Sequence, residues 1–401
     1  MVAILTRTTG GDLAFAEDVL QQAWLAAFEQ WPRDGWPEQP VAWLLRAARN
    51  RAIDKIRRSA NFERKRHLIE GAGPEGADSL DSAFADDLLD SQLPDERLRL
   101  IFTCCHPALN LEAQIALTLR SVCGLNTEEI ARAFLTPTAT LAQRLVRAQR
   151  KIRDAGIPYQ VPAQKDLAAR SEGVMHVVYL AFTEGYGASG GVDIVRADLC
   201  DEAIHLARML VRSLPADGEI HGLLALMLLQ NARRSARADA HGALVLLEDQ
   251  DRSLWVREDI REGATLIEAG LRRGPPGPYV LQAIIAAIHA SAETYADTDW
   301  PQIVAIYDLL RRALPSPVVE LNRAAALAMR DGPEVGLAEL DRITARGELE
   351  RYHLLPSARA ELLRRLKRWE EAGAAYDAAL ELCTNPREQE FLSRRRASLG
   401  M

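Results

Sequence analysis

The sequence predicts an all-α protein, on three observations. Apolar residues recur at helical spacing along nearly the whole chain, while alternating, strand-like runs are almost absent. Ala, Leu, Arg and Glu dominate, and aromatic residues make up only 6% of the chain. An apolar spacing also repeats through the second half, as stacked helical hairpins require. With 401 residues, 26% charged and 48% hydrophobic, the composition is that of a globular protein long enough for two or three domains.

The first helical block spans residues 12–66, with Pro32, Gly35, Pro37 and Pro40 breaking it in the middle. Residues 71–96 hold eight acids and no Lys or Arg, and Gly71, Gly73, Pro74 and Gly76 open them, which reads as an acidic linker with at most one short helix. Residues 97–153 are helical again. Past Pro158 and Pro162 the chain turns to Ala/Leu-rich helices that run to the end.

In that tail Ala372, Tyr376 and Ala379 match Gly336, Leu340 and Ile343 at an offset of 36, and Ile303, Tyr307 and Leu310 match 33 earlier. A small residue followed by large ones four and seven on lets one helix of a pair nest against the next, which reads as tetratricopeptide-like hairpins. Residues 230–275 fit the period poorly, and an irregular α-bundle is the competing reading.

The net charge of −7 argues at first against a nucleic-acid binder. Its partition argues otherwise. Residues 41–66 hold nine Lys/Arg and two acids, and residues 138–153 hold five Lys/Arg and no acid. Solvated helix faces usually mix signs for i,i+4 pairing, and these two mostly do not. Residues 1–153 cancel to zero, so the whole −7 belongs to the C-terminal extension.

Residues 124–153 carry the sharpest pattern. Thr127 reads as a helix N-cap with Glu128 and Glu129 in its first turn, Ile130, Ala131 and Phe134 as its inner face, and Leu135, Thr136 and Pro137 as its stop. A second helix from about Thr138 turns Leu141, Leu145 and Ala148 inward and presents Thr140, Gln143, Arg144, Arg147 and Lys151. That is a helix-turn-helix whose second helix would read major-groove edges and grip phosphate. Upstream, Trp43, Arg46, Arg49, Asn50, Arg51, Asp54, Arg57 and Arg58 share one long helix. A basic helix with an aromatic and an amide suits unpaired bases, although on pattern alone Trp43 fits a core position better.

These segments carry a resemblance. DLAFAEDVLQQAWLAAFEQW followed by AWLLRAARNRAIDKIRR resembles region two of bacterial extracytoplasmic-function (ECF) sigma factors, and ALTLRSVCGLNTEEIARAFLTPTATLAQRLVRAQRKIR resembles their region four. DERLRLIFTCCHPALNLEAQ and the long tail are similar to a subgroup with a tetratricopeptide-like C-terminal extension. The resemblance implies region two over 1–70, the linker over 71–96, region four over 97–160 and the extension over 161–401. It places Asp18, Gln21, Trp24 and Phe28 against the β′ coiled coil of core RNA polymerase, whose β and β′ subunits are the implied partners. Trp43, Arg46, Arg49, Asn50 and Asp54, with Arg57 and Arg58 beside them, fall where the family melts and reads the upstream promoter element. Thr140, Gln143, Arg144 and Arg147 fall on the helix that reads the more distant element. The linker matches the segment that threads toward the polymerase active-site channel. The family usually has another helix before the DLAFAED stretch, and only about eleven residues precede it here.

The expected function is therefore a sigma factor that starts transcription with no covalent chemistry and no cofactor, its repeat extension regulating it and offering a surface to a protein or peptide partner. A polymerase-independent helix-turn-helix regulator and a tetratricopeptide scaffold are the alternatives. The longest apolar run, Leu223 to Leu229, is too short for a membrane span, and the N-terminus lacks the features of a secretory signal. Five scattered cysteines then read as reduced thiols in a cytoplasmic protein.

Three further patterns are read structurally. Cys104-Cys105-His106, with Cys123 nearby, lacks the spacing of a zinc site and reads as buried thiols. Gly187-Ala188-Ser189-Gly190-Gly191 fits a hydrolase elbow, but no strand precedes it, and it reads as a glycine loop. LLEDQDRSLW, residues 246–255, reads as an ion-pair loop between helical units, a regulatory contact being the alternative. No phosphate-binding glycine motif is present.

Overall fold

The computed structural model describes residues 1–67, 93–134, 136–186, 197–239 and 242–399. Among them are eighteen α-helices and no strand beyond one isolated bridge between Ala238 and Leu244. They fall into two compact units. The first comprises residues 1–132 and 136–177, the second 133–135 and 178–401. Most of the acidic linker and the whole Gly187–Gly191 motif lie outside the described residues.

In the first unit, α1 (Val2–Thr8) occupies the stretch ahead of DLAFAED and buries Leu5 and Thr6. The few residues preceding that motif do supply a helix. α2 (Leu13–Asp34) is capped by Asp12, whose carboxylate accepts the Phe15 amide at 3.0 Å. Its Ala16, Val19, Ala23 and Ala27 form one apolar stripe against Leu44, Ala48 and Ala52 of α3 (Pro40–His67). The facing alanines let the two backbones approach closely. Pro32 does not break α2 as expected. It sits in the last turn, where it forfeits a single backbone hydrogen bond, and the helix stops at Gly35, whose φ of 87° suits only glycine.

α4 (Leu93–Cys104) starts inside the stretch read as linker and buries Leu98, Leu100, Ile101 and Phe102. α5 (Leu111–Leu117) continues into a π-helical turn, Thr118–Val122, and α6 (Thr127–Ala133) and α7 (Thr138–Asp154) follow. Cys104 and Cys105 are buried, and burial pushes the Cys105 thiol up to about 12. Its sulfur lies 3.5 Å from the Thr118 hydroxyl. The two thiols fill a helix junction, as the sequence suggested.

α8 (Gln164–Tyr186) carries the chain into the second unit, which holds α9 (Ala197–Ser213), α10 (Gly218–Asn231), α11 (Arg257–Leu271), α12 (Pro278–Ser291), α13 (Trp300–Ala313), α14 (Pro317–Asp331), α15 (Pro333–Ala345), α16 (Leu354–Arg365), α17 (Trp369–Leu382) and α18 (Pro386–Ala397). The repeat offsets are visible directly, since α13, α15 and α17 begin at 300, 333 and 369, offsets of 33 and 36. Leu340, Ile343, Tyr376 and Ala379 are buried in one core. Gly336 is needed there, because a Cβ would stand 2.5 Å from that of Ala328. The period fails between α10 and α11, where three short 3₁₀ turns replace a helix. In that segment Glu248 pairs with Arg365 at 3.1 Å, and Arg252 donates to the carbonyls of His289 and Ala292 at 2.7 and 2.8 Å. Its charges tie helices of the unit together.

Candidate nucleic-acid interface

The helix-turn-helix is built by local chemistry at both ends of its turn. α6 begins at Thr127, but the cap is Asn126, one residue earlier than expected. The Asn126 side chain accepts the Glu129 amide at 2.8 Å, and Glu129 accepts the Asn126 amide at 2.7 Å. Asn serves here because its shorter carboxamide folds back onto the third helical amide, a reciprocal capping box. Ile130 and Ala131 are buried as the spacing predicts. α7 then starts after Pro137 with no side-chain cap, leaving the amides of its first turn open to an anion.

α7 buries Leu141, Leu145, Ala148 and Ile152. Thr140, Gln143, Arg147 and Lys151 lie exposed on the other side, as does Arg150, which the sequence reading left out. Arg144 is half-buried and pairs with Glu112 of α5 at 2.9 Å. Its guanidinium must leave that carboxylate before it can meet any other partner. A surface pair of this kind costs little to open, about 1 kcal/mol or less. The shoulder of α7 is fixed by Gln149, which donates to Glu17 of α2 at 3.2 Å, while Ser121 reaches the other oxygen of the same carboxylate at 3.3 Å. Arg153 adds a 3.9 Å contact to Asp12.

α3 presents Arg46, Asn50, Asp54, Arg57 and Arg58 exposed along its length, with Arg49 and Arg51 half-buried at the edges. Trp43 is half-buried, its ring edge-on to Trp31 at 5.5 Å. It belongs to the packing of α2 on α3 and shows only part of its face.

The third group lies on α2. Gln21 is exposed, and beside it Trp24, Leu25 and Phe28 are 38%, 62% and 73% exposed. Asp18 pairs with Lys55 of α3 at 2.7 Å, so it orients α3 as well as facing outward. Leu25 was not foreseen, nor was Trp36, which is 78% exposed and leans on Trp31 at 4.9 Å. The signal was there: Trp24, Leu25 and Phe28 fall off the buried stripe of α2, and although Trp24 meets Trp31 edge-on at 6.4 Å, Leu25 and Phe28 remain largely exposed. A contiguous exposed apolar patch marks a partner surface.

Comparison with known proteins follows the same division. The family model for sigma-70 region 2 matches residues 1–62, which cover α1, α2 and most of α3. A family of unknown function, DUF6596, matches residues 170–271. An uncharacterized protein of Rhizobium meliloti (strain 1021) is 45% identical over 381 residues, 95% of this chain and 89% of that protein. The ECF RNA polymerase sigma factor SigK of Mycobacterium ulcerans (strain Agy99) is 25% identical over 155 residues, 38% of this chain and 76% of that protein. No solved structure matches.

Proposed function

We propose how this chain, an ECF-type RNA polymerase sigma factor with a helical C-terminal extension, works. The Trp24–Leu25–Phe28 patch of α2 docks on core polymerase at the β′ coiled coil, with contacts from the β subunit completing the complex. Arg46, Asn50, Arg57 and Arg58 of α3 hold the melted promoter strand. Thr140, Gln143, Arg144 and Arg147 of α7 read the more distant element in the major groove while Lys151 grips phosphate. The protein performs no covalent chemistry and acts in the cytoplasm, and the extension regulates it. No helix among the described residues is long and apolar enough to cross a membrane.

The observation that carries this reading is the sidedness of α7. One face is buried and acid-tied, and the other offers exposed polar and cationic side chains next to an uncapped N-terminus. The test is co-elution of the purified chain with core polymerase, followed by protection of promoter DNA by the complex. Protection by the chain without polymerase would identify an independent regulator instead. Neither co-elution nor protection would leave only the scaffold reading. Removing the extension beyond Tyr186 should change transcription from a cognate promoter, and unchanged output would end its regulatory assignment.

A further inference from the structure

The second unit contains a cleft that the transcription chemistry does not use. About 330 Å³ of space opens among α8, α10, α12, α13 and α14, with Gln230, Arg233, Gln282, His289, Tyr307 and Asn322 contributing its polar groups. Leu226, Leu229, Ile285 and Tyr179 supply its apolar wall. A second space of about 270 Å³ shares Leu247, His289, Tyr307 and Asn322 with the first and continues past Tyr295 and Trp300. Each is near the lower end of the range for small-molecule sites, about 300–1,000 Å³, and they adjoin.

The charge of the first space is one-sided. Arg233 is its one charged lining residue, no carboxylate lines it, and Arg233 has no ion pair among the described residues. His289 does not add to that charge at neutral pH. Burial, then the nearby Arg233 and Arg252, push its imidazole down to about 4. In the same wall the indole nitrogen of Trp255 and Nδ1 of His289 have no hydrogen-bond partner. The Arg233 guanidinium lies over the Tyr186 ring, 5.8 Å from its centroid, a contact that leaves its hydrogen-bond donors and its charge without an anion, which is unfavourable for a half-buried group. In the adjoining space Arg365 and Glu361 neutralise each other at 3.2 Å, so that part adds apolar and aromatic surface without net charge.

We propose that this cleft binds a small organic carboxylate, its single anionic group held by Arg233 and the amides of Gln230, Gln282 and Asn322, its apolar body lying toward Tyr307 and Trp300. One cation matches one negative charge. The aromatic and apolar lining of the adjoining space, Trp300, Ile303 and Tyr307, suits a ring or short alkyl chain attached to the acid. A free metabolite-sized acid and the C-terminal carboxylate of a peptide share this chemistry.

Isothermal titration of the full chain separates the possibilities. The probes are 4-phenylbutyrate with its neutral amide, and N-acetyl-Leu-Phe with its C-terminal amide. Saturable binding of 4-phenylbutyrate, at least tenfold weaker for the amide and at least tenfold weaker in Arg233→Met, is the expected result. Binding of the peptide acid alone, with the same dependence on Arg233, would assign the carboxylate to a chain terminus. Asn322→Leu, at an exposed position, should weaken the acid severalfold and serves if the Arg233 variant does not fold. No saturable binding by either acid, equal binding of acid and amide, or full binding in both variants would overturn the assignment. Core polymerase plays no part in this readout, so its outcome is independent of the transcription assignment.

Discussion

Gln149 of α7 donates its side-chain amide to the Glu17 carboxylate of α2 at 3.2 Å, and the Ser121 hydroxyl meets the other oxygen of the same group at 3.3 Å. One carboxylate on the proposed polymerase-docking helix therefore holds both the π-helical turn and the proposed DNA-reading helix. Glu17→Ala removes the acceptor for two side chains. A loss of about 1–3 kcal/mol in the stability of the first unit is expected by denaturant unfolding. Faster amide exchange should be concentrated in residues 138–154, and exchange unchanged there would show that Glu17 does not hold α7.

The capping box of α6 gives a second prediction. Asn126→Ala deletes the side-chain acceptor of the Glu129 amide and should cost about 1 kcal/mol of stability. Asn126→Ser, which can still cap, should recover most of it. If promoter affinity falls in the alanine variant and returns in the serine one, the defect lies in positioning the helix pair, since Asn126 lies outside the proposed reading face.

The helical period made much of this legible. Leu141, Leu145 and Ala148 could be assigned inward and Thr140, Gln143, Arg147 and Lys151 outward from spacing alone, and they stand where expected, whereas Arg144, assigned outward with them, is half-buried against Glu112. The tail repeat was readable because nesting helices demand a small residue at a fixed place, Gly336 against Ala328 being the tightest instance. What escaped depends on distance in the chain or on a single turn. Glu17 and Gln149 are 132 residues apart, and no local pattern announces their contact. Pro32 was read as a breaker because proline is costly inside a helix, but in a last turn its cost nearly vanishes. The cleft around Arg233 needed coordinates, since its polar groups come from four separate helices and the segment after α10.

Phe28 is 73% exposed and Leu25 62% exposed, so neither holds the domain together. Phe28→Ala and Leu25→Ala should leave thermal stability within about 0.5 kcal/mol of the parent. Affinity for core polymerase should drop by about 1–2 kcal/mol for each, read by fluorescence anisotropy of labelled chain. Normal polymerase affinity in the double variant would remove the patch from the docking surface.

Glu361 gives the extension an acid-sensitive point. Burial pushes its carboxyl pKa up, but the Arg364 and Arg365 guanidiniums, at 2.6 and 3.2 Å, more than offset this and hold it below the usual glutamate value. A carboxyl depressed in the folded state stabilises above its unfolded pKa and loses that contribution as pH falls through the folded one. Thermal melts of the full chain should therefore show the extension's transition falling below about pH 4.3, the ordinary glutamate value. Glu361→Gln should lower the neutral-pH transition and flatten that acid limb. An acid limb as steep as the parent's would place the sensitivity elsewhere.

The proposed reading of DNA divides between Arg144 and Arg147. Arg144 is restrained by Glu112 at 2.9 Å and lies toward the start of α7, where side chains reach base edges, whereas Arg147 is exposed one turn further on. If Arg144 reads a base, Arg144→Ala should cost about 1–3 kcal/mol on the cognate promoter and relax preference at one position. Arg147→Ala should weaken all sequences alike and lower the salt-dependence slope by about one unit, the signature of a lost phosphate contact. Glu112→Gln frees Arg144 and should raise promoter affinity of the polymerase complex slightly, by less than about 1 kcal/mol. A Glu112→Gln variant that binds the promoter more weakly would mean that the carboxylate aims Arg144 at its base instead of withholding it.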